Sequence, residues 1–132
     1  MSEFVYDAAV LVAADRNDRC TWADHKALLE DGHVPLVPAA VVGQVSRSAR
    51  QVQLRRFLRG CIVVALDEPM AHAAGRLLGT ARASDVVDAS VVTLAVNRRA
   101  AILTGDPDDI ERLVAAAGVR VPVIGIGSPF AP

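Results

Sequence analysis

Residues 85 to 106, Asp85-Val-Val-Asp88-Ala-Ser-Val-Val-Thr-Leu-Ala-Val-Asn-Arg-Arg-Ala-Ala-Ile-Leu-Thr104-Gly105-Asp106, decide how this chain is read. The apolar spacing predicts a helix from Val86 to Arg99, then a short buried strand from Ala101 to Leu103, then a turn at Thr104-Gly105-Asp106. A buried strand that ends in a carboxylate is a feature of open α/β sheets, which hold ligands at the C-terminal edges of their strands. Asp85 and Asp88 are three residues apart, so a helix turns both to one side at its N-terminus.

Outward from that stretch, helices and strands alternate. Phe4-Val5-Tyr6 is a β-prone run ending at Asp7, and Ala8 to Ala14 is an apolar helical segment. Thr21 is read as the cap of a helix running to Asp31 and closed by Gly32. Val34 to Val37 is the second strand, Ala39 to Ser46 a short helix bearing Gln44, and Ala49 to Arg59 another helix. Cys61 to Leu66 is a third strand ending at Asp67, and Pro69 opens a helix for which Gly79 is the expected stop. Asp106-Pro107 starts a helix from Asp108 to Ala117 that ends at Gly118, and Val119 to Ile126 is the last strand. The tail from Gly127 to Pro132 is read as poorly ordered. Such alternation gives an α/β fold with a parallel sheet between helices.

A length of 132 residues suits one domain spanning residues 1–132. The composition is 52% hydrophobic but only 4% aromatic, so the core is expected from Ala, Val, Leu and Ile, as in a covered parallel sheet. The net charge of -1 conceals a basic segment, because Arg47, Arg50, Arg55, Arg56 and Arg59 crowd into thirteen positions. Arginine is the residue type suited to phosphate contacts, although a solvated helix face explains each of these equally well. Cys20 and Cys61 have no metal-ligand or redox spacing, and no apolar run reaches the roughly 18 residues that span a bilayer. The expectation is a cytoplasmic protein without membrane contact.

Asp7, Asp88 and Asp106, with Asp85 beside Asp88, are the residues that carry chemistry in this reading. Carboxylates brought together repel unless protons or a cation sit among them, and Mg²⁺ or Mn²⁺ with oxygen ligands meets that need. Each has a plainer role as well: Asp106 before Pro107 is what helix capping selects, and Asp85 suits the helix dipole. Asp7 has no evident capping motif, and Asp88 lies among valines and alanines where a charge needs a partner. His25, His33 and His72 lack metal-site spacing and are read as surface residues. Trp22 and Tyr6 are the only polar-tipped aromatics available for stacking on bases.

Asp7 in VYDAAVLVA, Asp88 in DVVDASVVTLA and Asp106 in ILTGDPDDIERL, in that order over nearly the whole chain, resemble the acidic motifs of PIN-domain ribonucleases, particularly the VapC-type toxins of bacterial toxin–antitoxin pairs. That resemblance implies a PIN-like three-layer sandwich with a five-stranded parallel sheet. It also implies a hydrolase cutting RNA phosphodiesters with Mg²⁺ or Mn²⁺, a homodimeric state, and a cognate antitoxin as partner. Under it, Asp7, Asp88 and Asp106 are catalytic metal-site acids, Asp85 a further metal residue, and Thr104 the hydroxyl that accompanies the last acid. Gln44 in VPAAVVGQVSRS stands where the family usually carries a glutamate, and an amide brings no negative charge. Of the two acids considered as replacements for that charge, Asp85 is preferred to Asp15, which reads as a helix-end residue. The alternative is a catalytically weakened domain of the same fold that binds RNA or a partner. A phosphoacceptor or phosphatase reading is disfavoured, since Lys26 is the only lysine and Ala9 occupies the place of that class's second acid.

Overall fold

A computed structural model describes residues 3–126. The expected tail from Gly127 to Pro132 lies outside the described residues. The elements are β1 (Phe4–Tyr6), α1 (Ala8–Asp15), α2 (Arg19–Glu30), β2 (Leu36–Pro38), α3 (Ala39–Val45), α4 (Val52–Leu58), β3 (Ile62–Val64), α5 (Glu68–Ala81), α6 (Val86–Arg98), β4 (Ala101–Thr104), α7 (Pro107–Ala117) and β5 (Val123–Gly125). All strand pairs are parallel, in the order β3-β2-β1-β4-β5. The chain winds outward from β1 to β3, then crosses to the other side of β1 for β4. The switch point of the sheet therefore lies between β1 and β4, where open α/β sheets form their ligand crevice. The α/β sandwich with a five-stranded parallel sheet expected from sequence is the fold observed.

Helix α1 packs against α2, α3 and α4, while α5, α6 and α7 pack on one another, with α6 also touching β1, β2 and β4. Seven consecutive residues of α6, Ala89 to Ala95, are buried. No amphipathic stripe survives in such a helix, because every side meets sheet or helix. The other face is closed by Tyr6, Leu11, Leu54 and Phe57, each at most 2% exposed. Few aromatics suffice, since three of them and the His25 imidazole cluster there: Phe57 stacks on Tyr6 at 5.5 Å and meets Trp22 edge-on at 5.1 Å.

Several boundaries differ from the sequence reading. The cap of α2 is Asp18, whose carboxylate accepts bonds from both the amide and the hydroxyl of Thr21. Gly79 does not stop α5, which runs on to Ala81 and ends with Arg82 in the left-handed region at φ 55. The third strand is three residues long because β3 is a sheet edge, leaving Ile62 and Val63 about half exposed. The fourth strand extends through Thr104, and the last begins only at Val123. His25 is not at the surface: it is 4% exposed and bonded through Nδ1 to the Tyr6 hydroxyl at 2.8 Å. Tyr6 is buried with it, and Trp22 points its indole N–H at the Ala14 carbonyl, so both aromatics are engaged in packing. Among the described residues no helix is long and apolar enough to cross a membrane.

Candidate metal centre

Asp7 follows β1 directly, and its amide continues the ladder by donating to the Leu103 carbonyl at 3.1 Å. Its carboxylate is 5% exposed and is also the N-cap of α1, a role the sequence did not reveal. One oxygen accepts from the amides of Ala9 (2.9 Å) and Val10 (3.3 Å), the other from that of Gly105 (3.3 Å). Burial raises its pKa, opposed by the Thr104 hydroxyl and those three amides. The Gly105 contact depends on close approach of two turns. A β-carbon at position 105 would lie 2.5 Å from Cβ of Ala9, so only glycine brings this amide to Asp7.

Thr104 is fully buried at the end of β4, and its Oγ1 accepts from the Asp106 amide at 2.9 Å while its hydroxyl bonds Asp7. One threonine thus ties the ends of β1 and β4 together. Asp106 occupies the N-cap position of α7, yet its side chain makes no capping bond. The plainer role given to it by sequence is therefore unused, and its exposed carboxylate is left available. Asp85 does cap its helix, accepting from the amides of Val87 (2.9 Å) and Asp88 (3.1 Å).

Asp88 is the residue on which the charges of the other carboxylates act. It is half-buried in the first turn of α6, and its pKa is pushed up to about 6, by burial first and then by the charges of Asp85, Asp7, Asp109 and Asp106. The three acids expected from sequence, and Asp85 with them, are thus electrostatic neighbours. Asp109 is the member that sequence reasoning missed. The neighbouring Asp106 carboxylate raises the Asp109 pKa, and Arg112 donates to the Asp109 carboxylate at 3.3 Å. The signal was present, because the three-residue spacing that pairs Asp85 with Asp88 also pairs Asp106 with Asp109.

Among the described residues no cation is ion-paired with Asp7, Asp85, Asp88 or Asp106. Oxygen donors carrying uncompensated negative charge suit a hard divalent cation. No three His, Cys, Asp or Glu side chains among the described residues form a ready metal cage.

Other candidates lie apart. Gln44 is exposed on α3 with no hydrogen bond to these acids among the described residues. Asp15, at the opposite end of α1 from Asp7, accepts from Gln51 Nε2 at 3.1 Å. Gln51 in turn accepts from the Arg47 amide, so Arg47 is also near that far end. Its guanidinium donates to the carbonyls of Gly43 and Ser46, and that of Arg55 to Ala49. Arg50 and Arg56 are exposed, Arg56 lying over the Trp22 ring at 5.9 Å.

No protein-family model matches the chain, and no curated protein shows significant sequence similarity to it. Solved structures do match. VapBC2 from Rickettsia felis, bound to a DNA fragment from its promoter, superposes with a TM-score of 0.69 at 13% identity, over 92% of this chain and 97% of that one. FitAB bound to an IR36 DNA fragment gives 0.62 at 15% identity, over 92% and 94%. FitAcB from Neisseria gonorrhoeae gives 0.62 at 14% identity, over 98% and 99%. At such identities the likeness is one of fold, and it extends across nearly the full length of each chain.

Proposed function

We propose that the chain is a metal-dependent endoribonuclease, a hydrolase acting as the toxin of a toxin–antitoxin pair. The observation that carries this reading is Asp88, half-buried among four other carboxylates at the switch point of the sheet, of which only Asp109 is ion-paired with a protein cation among the described residues. Support of a second kind is the fold shared with the VapBC2 and FitAB complexes. Asp7, Asp88 and Asp106 would hold Mg²⁺ or Mn²⁺, directly or through water, with Asp85 and Asp109 adding negative charge around them. When bound, the cation supplies Lewis acidity to the scissile phosphate and lowers the pKa of an attacking water.

The chain's own residues do the positioning. Three amides and the Thr104 hydroxyl fix the Asp7 carboxylate, so it meets a ligand without losing side-chain freedom at that moment. Thr104 fixes the Asp106 backbone in the same way. Above about pH 6 Asp88 is ionised and able to accept a cation. Arg47, Arg50, Arg55 and Arg56 are the proposed phosphate-backbone contacts, Arg50 and Arg56 being those whose guanidinium groups hold no main-chain carbonyl among the described residues. The proposed partners are an RNA substrate, a cognate antitoxin and a second copy of the chain.

The test is cleavage of end-labelled RNA by the wild-type protein and by Asp7→Asn, with Mg²⁺, Mn²⁺ or a chelator, after circular dichroism has shown both to be folded. Cleavage is expected only from the wild type with metal. Equal rates from Asp7→Asn, or cutting that survives chelation, would overturn the reading. Gln44 favours one alternative, an RNA- or partner-binding module of weakened activity, because a neutral amide stands exposed where a further acid was expected. RNA retained but uncut by the wild type at saturating metal would select that alternative.

A further inference from the structure

Helices α2 and α4 leave between them a cavity of about 550 Å³, none of whose lining residues belongs to the acidic cluster. Trp22 and Leu29 supply apolar wall, and Lys26, Arg56 and Arg59 surround it. No aspartate or glutamate lines the cavity, and none of these three cations is ion-paired among the described residues. Positive charge is thus gathered around an apolar space without an internal counter-ion.

His25 gives this space a directional group. Its Nδ1 is 2.8 Å from the Tyr6 hydroxyl, which is buried and has no other hydrogen-bond partner among the described residues. A buried hydroxyl proton needs an acceptor, so Tyr6 donates to Nδ1 and we assign the ring proton to Nε2. Burial lowers the His25 pKa and keeps the ring neutral. The Nε2–H has no partner among the described residues, yet no fully buried side-chain nitrogen or oxygen there lacks one. Nε2 therefore opens onto the cavity that His25 lines, although the residue is only 4% exposed. Gly60 keeps that opening clear, since a β-carbon there would lie 2.8 Å from Nε2 and 3.1 Å from Cδ1 of Leu29.

We infer that this cavity is a binding site for a small organic anion, whose apolar or aromatic body lies against Trp22 and Leu29 and whose carboxylate, sulfonate or phosphate meets His25 Nε2–H and the surrounding cations. The volume falls within the range of small-molecule sites, and a mostly apolar lining with a few convergent polar groups is their usual chemistry. A desolvated N–H donor supplies direction and the three cations supply attraction.

Trp22 is the sole tryptophan, so its emission reports on the site directly. The probe is 8-anilinonaphthalene-1-sulfonate, titrated into the folded wild-type protein and into Arg59→Glu and Gly60→Val. Saturable quenching of Trp22 at one equivalent is expected, displaced by phenyl phosphate or benzoate. Affinity should fall about tenfold or more in Arg59→Glu, an exposed change that leaves the core untouched. Gly60→Val should act likewise by covering Nε2. Where that variant does not fold, nitrogen NMR of wild-type His25 replaces it, with a shift of Nε2 on saturation expected. Unsaturable quenching, affinity unchanged in Arg59→Glu, or an unmoved Nε2 resonance would overturn the assignment. So would displacement by an acidic peptide but by neither small anion, which would make the cavity a protein-docking surface.

Discussion

Replacing Asp88 by asparagine should stabilise the metal-free protein, and only at neutral or alkaline pH. Burial and four neighbouring carboxylates raise the Asp88 pKa from 3.8 to about 6, so its ionised form is worse accommodated in the folded protein than in the unfolded chain. A carboxyl with a raised folded-state pKa costs nothing below its unfolded value. The destabilisation sets in as pH rises above about 3.8 and is complete above about 6. At full strength such a difference corresponds to about 3 kcal/mol. Asp88 is only half-buried, and solvent screening reduces this to on the order of 1 kcal/mol. Asparagine keeps the shape without the charge. In chelator at about pH 7.5 the variant should melt roughly 3–5 °C above wild type, and the gap should close near pH 4. Urea unfolding at both pH values gives the same comparison as free energies. A variant less stable than wild type at pH 7.5, or a gap independent of pH, would refute the electrostatic account of the cluster.

Other outcomes follow from the same geometry. Gly105→Ala drives a β-carbon into Ala9 and should cost about 1–3 kcal/mol in chemical denaturation. Ala9→Gly in the same chain should recover more than additivity allows, and strict additivity would show that the two turns do not touch. Tyr6→Phe removes the proton that His25 Nδ1 accepts and should destabilise by about 1–3 kcal/mol, whereas an unchanged midpoint would contradict the assigned bond.

Much of the fold was legible because its signals are local and periodic. The Val86 to Arg98 helix, the strand after it and the Gly118 stop each rest on spacing or on a residue with one conformational use, Gly118 lying at φ 73. Boundaries failed where tertiary context competes with propensity. Gly79 is tolerated inside α5, and the apolar run from Cys61 to Leu66 yields only three strand residues at a sheet edge. His25 looked like a surface residue because no periodicity marks the end of a long side chain that meets Tyr6, nineteen positions earlier.

The acidic residues were legible as a set, but not in their local roles. Capping was expected of Asp106 and found at Asp7, whose cap bonds run to the nearby amides of Ala9 and Val10, while its further bond comes from Gly105, 98 residues away, which no local pattern announces. Asp109 was overlooked for a different reason. Its neighbours Asp108 and Glu111 make the first turns of α7 look like ordinary dipole-favoured acid.

The central claim, that the carboxylates around Asp88 hold a divalent cation, is tested most directly by calorimetric titration of Mn²⁺ at about pH 7.5 into the folded wild-type protein and into Asp88→Asn. Saturable binding by the wild type, weakened about tenfold or more in Asp88→Asn, is the expected result. A folded wild type that binds no Mn²⁺, or an Asp88→Asn variant that binds it equally well, would contradict it.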